Sequence, residues 1–154
     1  MTNATACPFC RIAAGEIQPV LLHEDRDVVA FLDIAPVRPG HTLIITRRHI
    51  ETFEQLPPEL AAKILSLAQQ LARRMKAVYG VERVGFVFTG TDVAHAHAHV
   101  VPMHEKNDFT SARYVTTPGP LAFGSEHLKV DKAELLRVRE ELAFHPPGTN
   151  APNG

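Results

Sequence analysis

Apolar residues along this chain recur with two different periods. Over "PPELAAKILSLAQQLARRMKAVYG" (57–80), Leu60, Ile64, Leu67, Leu71, Met75 and Val78 recur at three- and four-residue steps. Lys63, Ser66, Gln70, Arg73 and Arg74 lie largely off that stripe. This is the 3.6-residue period of an amphipathic helix. Pro58 suits its first turn and Gly80 its C-terminal stop. At ~1.5 Å per residue such a helix is roughly 30 Å long, enough to cover a sheet. Elsewhere the apolar runs are short and rich in β-branched residues. "VLLH" and "VVAFLD" flank the polar turn "EDRD", which predicts a hairpin. "GHTLIITRR", opened by Pro39-Gly40, is a third strand; "VGFVFTG" and "HAHAHVVP" are a fourth and fifth. A second helix is predicted from Asp131, with Glu134 as the partner in a capping box, through Leu135, Val138 and Leu142.

Strands in succession with one long helix between them, and no continuous βαβ alternation, indicate an α+β fold built on an antiparallel sheet. The 154 residues are enough for one domain with one core. We expect it to span 1–144, with "HPPGTNAPNG" (145–154) a disordered tail. The composition is 45% hydrophobic and 21% charged, with a formal net charge of -1, so nothing steers the chain toward nucleic acid or an anionic membrane. No apolar run approaches the ~20 residues that span a bilayer. The N-terminus lacks the basic and apolar regions of a secretory signal. The expected location is therefore the cytoplasm, where Cys7 and Cys10 are reduced thiols.

"HAHAHVVP" (95–102) places three histidines at alternate positions. On a strand they share one face, while Ala96, Ala98 and Val100 face the other, and the small alanines let a helix sit close. Neighbouring histidines are then about 6.7 Å apart and the outer two about 13 Å. Zinc–nitrogen bonds are about 2 Å, so one ion does not hold all three on a straight strand. The spacing points to a division of labour.

"CPFC" is either half of a metal site or a redox pair. A redox pair usually follows a strand and opens a helix, and no strand precedes this one. Two thiolates need two further ligands for a closed tetrahedral site; His49 and one of the triplet are available.

"HAHAHVV" resembles the defining H-φ-H-φ-H-φ-φ pattern of the histidine triad (HIT) proteins. "LDIAPVRPGHTLII" is an independent second match, and the resemblance extends from about Cys7 to Pro102. It implies a five-stranded antiparallel sheet with a helix packed on it, in a homodimer. It also implies a nucleotide hydrolase or transferase, acting at an α-phosphate of a purine nucleotide or nucleotide conjugate. Phosphoramidase and dinucleoside polyphosphate hydrolase are the enzyme classes it suggests. By the same resemblance His97 is the nucleophile that becomes covalently nucleotidylated. His99 contacts the α-phosphate and His41 supports it. Asp33 bonds the ribose hydroxyls, and Phe9, Ile12, Phe31 and Ile34 line the base pocket. Zinc-bearing relatives use the counterparts of Cys7, Cys10, His49 and His95, which implies a structural zinc that the chemistry does not require. The chemistry is sound on its own terms. A neutral imidazole is nucleophilic near neutral pH, and a covalent intermediate splits one displacement into two easier ones.

One departure stands out. Many relatives carry a Gly-, Asn- or Gln-containing segment before the triad; here "GFVFTG" is followed only by "TDVA". Thr89, Thr91 and Asp92 are the polar side chains it offers, and Thr91 is the one assigned to the nucleotide. The competing functions are a nucleotide-binding regulatory module with little turnover and a zinc protein with no nucleotide site. His23, His104, His127 and His145 are expected to be structural or solvent-facing.

Overall fold

The computed structural model describes residues 7–90, 92–109, 115–116, 122–123 and 126–143. The hairpin is β1 (Leu21–Glu24) and β2 (Val28–Leu32), followed by β3 (Thr42–Thr46). The long helix, α2, spans Pro58–Tyr79, with Pro at its start and Gly80 in left-handed conformation at its end. β4 (Arg83–Thr89) and β5 (His97–Met103) follow, and α3 covers Lys132–Leu142. The five strands form one antiparallel sheet in the order β1-β2-β3-β5-β4. A two-stranded ribbon, β6 (Val115–Thr116) with β7 (Ala122–Phe123), stands apart from it. Among the described residues no helix is long and apolar enough to cross a membrane.

The two faces of the sheet are covered differently. Ile64, Leu67, Ala68, Leu71 and Met75 of α2 pack on Ala30, Leu32, Ile44, Ala96, Ala98 and Val100. Ala98 is fully buried there, so the alanines between the histidines do admit the helix. α3 completes this core with Leu135, Val138 and Leu142. Its Asp131 side chain accepts from the Glu134 N–H at 2.8 Å. The Glu134 carboxylate turns to Arg137, so the predicted reciprocal cap is realised on the Asp131 side. On the opposite face Phe9, Val29, Phe31, Leu43 and Ile45 form a second cluster.

Two expectations change. The sequence predicted no helix at the N-terminus, yet α1 (Pro8–Ala13) forms, with Cys7 at its N-cap and Pro8 in its first turn. Six residues are too few to show a periodic stripe. The fifth strand also begins at His97 rather than His95. The β3 ladder ends at the Ile45–His97 pair, and the Ala96 N–H turns aside to the Ile50 carbonyl at 2.6 Å. His95 thereby leaves the line of His97 and His99, and the long separation of a straight strand no longer applies. Thr91 and residues 145–154 lie outside the described residues.

Candidate functional site

The geometry sorts the cysteines and histidines into two groups. In the first, Cys7 caps α1 and Cys10 lies within it, the segment after β3 carries His49, and the turn before β5 carries His95. Their sulfur and nitrogen atoms lie within 4.8 Å of one another. Cys10 Sγ is 3.2 Å from His49 Nδ1 and 3.6 Å from His95 Nδ1. Cys7 Sγ is 3.5 Å from His95 Nδ1, and the two Nδ1 atoms are 3.3 Å apart. A tetrahedral zinc with ordinary bond lengths would separate sulfur from nitrogen by about 3.6 Å and nitrogen from nitrogen by about 3.3 Å. The donor set fits such an ion.

Protonation supports that fit. The Thr46 hydroxyl donates to the Arg48 carbonyl at 2.7 Å. His95 Nε2, 2.9 Å from the Thr46 carbonyl, must therefore be the donor to it. This leaves the Nδ1 lone pair aimed at the sulfurs, and a carbonyl on the second ring nitrogen is the usual support of a metal-bound histidine. Burial, with Cys7 adjacent, pushes the Cys10 thiol up to about 11. Two thiolates side by side are unfavourable without a cation between them, and a divalent ion reverses that balance.

The second group is a hydrogen-bonded chain fixed at both ends by backbone. The Val37 N–H can only donate, so His41 Nδ1 accepts from it at 3.2 Å. His41 Nε2–H then donates to His99 Nδ1 at 2.8 Å. His99 Nε2–H donates to the Thr89 hydroxyl at 2.9 Å, which donates onward to His97 Nε2 at 3.2 Å. At the far end the His95 carbonyl can only accept, so His97 carries its proton on Nδ1, 2.6 Å away. His41 and His99 are held as neutral rings. Burial pushes His41 down to about 4. Burial, then His41 and His97, pushes His99 down to about 3. Asp33, 3.7 Å from His41 Nε2, is pushed upward by its own burial.

Asp33, His41 and His99 also lie within reach of one ion. The tautomers argue against metal there. A cation on His41 Nε2, with Nδ1 accepting from Val37, would require a ring stripped of both protons.

Among the predicted site residues, Phe9 meets His97 edge-on at 4.9 Å between ring centres and Phe31 at 6.0 Å. Ile12 packs against the same cluster. Ile34 stands apart, 60% exposed, its carbonyl accepting from the Val130 N–H of the C-terminal segment. His97 is 4% exposed. The sequence reading did not assign Thr89 a site role, although it bridges two histidines. Its place opposite His97 in the β4–β5 register was the available signal. His23 pairs with Asp25 on the hairpin turn.

Residues 14–106 match the HIT domain family. The chain is 35% identical to protein hit of Bacillus subtilis over 123 residues, covering 75% of this chain and 83% of that one. It is 34% identical to the adenosine 5'-monophosphoramidase of Saccharomyces cerevisiae over 106 residues, covering 68% of this chain and 67% of that protein. Among solved structures, a zinc-bound histidine triad family protein from Mycobacterium smegmatis aligns with a TM-score of 0.67 at 27% identity. The alignment covers 91% of this chain and 95% of that one. On these likenesses and on its own triad, the chain belongs to the histidine triad (HIT) family.

Proposed function

We propose that this chain is a nucleotide hydrolase or transferase that acts at the α-phosphate of a purine nucleotide conjugate through a nucleotidyl-His97 intermediate. The observation that carries this reading is the 2.6 Å contact from His97 Nδ1 to the His95 carbonyl. It leaves the Nε2 lone pair as the reactive end of the ring. His99 Nε2–H, directed to the same place, is a donor for a phosphoryl oxygen. One Asp33 oxygen accepts from the Ala35 N–H at 2.8 Å, and the other is available to ribose hydroxyls. Phe9, Ile12 and Phe31 offer an apolar wall for the base. The phosphoramidase activity named for the yeast relative is of this kind.

Zinc is the ion that suits two thiolates and two imidazoles, and its task here is structural. Cys7, Cys10, His49 and His95 would hold it, and His95, so anchored, would keep its carbonyl on His97 Nδ1. A homodimer is part of the reading. β4 is an edge strand, and the exposed Phe86, with Phe53 and Leu65, gives a second copy an apolar surface.

In the resting state His97 is nearly enclosed, with the Thr89 hydroxyl across its Nε2. That enclosure favours a second reading, a nucleotide-binding regulatory module with little turnover. Rapid quenching with a nucleotide conjugate radiolabelled at the α-phosphorus separates the two. An acid-labile labelled protein should form within the first turnover and be absent in His97→Ala. That variant should lose on the order of 10³-fold or more in kcat while still binding the nucleotide. Wild-type turnover in His97→Ala would overturn the covalent route.

A further inference from the structure

The connection between β2 and β3, residues 33–41, carries both Asp33 and His41. The sheet fixes its base: Leu32 pairs with Thr42, and the Asp33 N–H donates to the His41 carbonyl at 2.9 Å. The sheet does not fix its far end. That end holds the group that sets the His41 ring, the Val37 N–H on Nδ1. Local sequence shapes the return. "RPGH" (38–41) follows the type II turn pattern, with Pro39 second and Gly40 third at a φ of +94°. The His41 N–H donates to the Arg38 carbonyl across it at 3.0 Å. Only glycine suits the third place, because the φ strains any side chain and a Cβ would stand 2.8 Å from the Tyr79 ring of α2.

Such a turn transmits position once its start is held, and Arg38 holds it. The chain leaving β5 bends back after Met103 and brings Asp108 under the connection. The Asp108 carboxylate is fully buried. Its Oδ1 accepts from the Arg38 Nε–H at 2.9 Å and lies 2.8 Å from a second guanidinium nitrogen. Its Oδ2 accepts from the His104 and Glu105 N–H groups at 2.7 and 2.9 Å. Glu105 adds a longer contact to Arg38 at 3.5 Å. Burial opposes the charge on Asp108, but Arg38 and the two N–H groups hold its carboxyl below the ordinary range. A buried pair of this kind adds little net stability over apolar packing, since desolvation offsets the attraction. It does demand one geometry, because both carboxylate oxygens are taken by donors in fixed directions. What it ties together is the connection that carries His41 and the chain that follows the strand of His97 and His99.

We propose that Arg38 and Asp108 are positioning residues for the contact between His41 and His99, acting through the Val37 N–H. Neither touches the reacting atoms. Asp108 holds Arg38, and Arg38 holds the adjacent Val37. Val37 keeps its N–H on His41 Nδ1, so the His41 Nε2–H stays on His99 Nδ1 at 2.8 Å. His99 Nε2–H is thereby kept as a donor on the side of the ring that faces Thr89 and His97. In its effect on rate the inference rests on the function proposed above.

The test compares variants of the full-length chain. Asp108→Asn keeps an oxygen for the two backbone N–H groups and turns an amide against Arg38; Arg38→Gln removes the guanidinium. Each should let the His41 Nε2–H proton exchange with solvent at least about tenfold faster in NMR spectra, the sign of a local opening. Each should also lower kcat on adenosine 5'-phosphoramidate by about tenfold, with KM changing less. The double variant should lose no more than either single one, because both break the same contact. Lys63→Met is the control: it breaks the ion pairs to Asp25 and Asp27 at the hairpin turn and should leave exchange and kcat as in the wild type. If one single variant fails to fold, the other decides. Wild-type exchange in a folded single variant, additive losses in the double, or an equal loss in Lys63→Met would overturn the positioning role and leave the proposed function standing. No turnover by the folded wild type would overturn the proposed function, and proton exchange would still decide whether the pair holds His41.

Discussion

Two histidine clusters meet at the start of β5, built from one residue type and held in different chemical arrangements. Around Cys7, Cys10, His49 and His95 the Nδ1 atoms of two rings and two sulfurs converge on one point, the arrangement of four donors around a cation. Around His41, His99 and His97 each ring nitrogen faces a partner of the complementary kind, from the Val37 N–H to the His95 carbonyl. The difference comes from what occupies the second nitrogen of each ring. In His95 a carbonyl takes the Nε2 proton and frees Nδ1 for a cation. In His41 an N–H takes the Nδ1 lone pair and obliges Nε2 to donate. Ligation and proton passage are thus assigned by single backbone groups.

Breaking the first cluster should have the largest effect on stability. Cys10→Ser removes a thiolate donor, and a site that folds around its ion draws part of its folding free energy from binding it. We expect loss of bound metal by elemental analysis and a stability loss of several kcal/mol in denaturant melts. A chelator should lower the wild-type melting temperature and leave that of Cys10→Ser unmoved. Full stability in the metal-free variant would show that the four donors do not need a cation.

The second cluster is interrupted most cleanly at Thr89. Thr89→Val keeps the β-branched shape and removes the hydroxyl that connects His99 to His97. We expect kcat to fall by about tenfold or more, within the range of a positioned polar group, with KM changing less. Thr89→Ser, which restores the hydroxyl, should recover most of the rate. Equal loss in both variants would mean that the methyl group's packing, not the hydrogen bond, is what matters.

How far the sequence reveals these clusters follows from the same physics. Period and turn chemistry make the five strands, α2 and α3 legible, because each has a repeated apolar stripe or a distinctive stop such as Gly80. The triad spacing makes the histidine face legible. α1 is invisible to such reasoning because its one turn and a half is held by tertiary contacts, with Phe9 buried against Phe31 and His97. The departure of His95 from the strand is hidden too, since it depends on Ile50 accepting a hydrogen bond from Ala96, 46 positions away. Thr89 was within reach: pairing of β4 with β5 sets it beside His97, but only once the register is known. Ile34 lies outside the buried cluster, and its carbonyl accepts from the Val130 N–H of the C-terminal segment, a long-range pairing that no local pattern announces.

The smallest expected effect is the pH dependence of stability, which sharpens the contrast between the clusters. His41 titrates at about 4 in the folded chain because burial disfavours its charged form, against an ordinary histidine value of about 6.5 when unfolded. Between those values the unfolded chain binds the extra proton, so the neutral ring's contribution is complete above pH 6.5 and is lost as pH falls toward 4. His99, pushed down to about 3, adds to the same slope. Asp33 opposes it, because a carboxyl pushed up by burial binds its proton more readily when folded. A single acid melt therefore mixes both signs, and the informative quantity is the difference between wild type and His41→Asn. Asparagine carries no titrating proton, so the variant should melt lower at pH 7 but lose less further stability between pH 6.5 and 4.5. Metal release on acidification would add a separate slope, and conducting both melts in chelator removes it. Parallel curves under those conditions would mean that His41 binds its proton equally well folded and unfolded. The relay from Val37 to His97 would then have lost its first link.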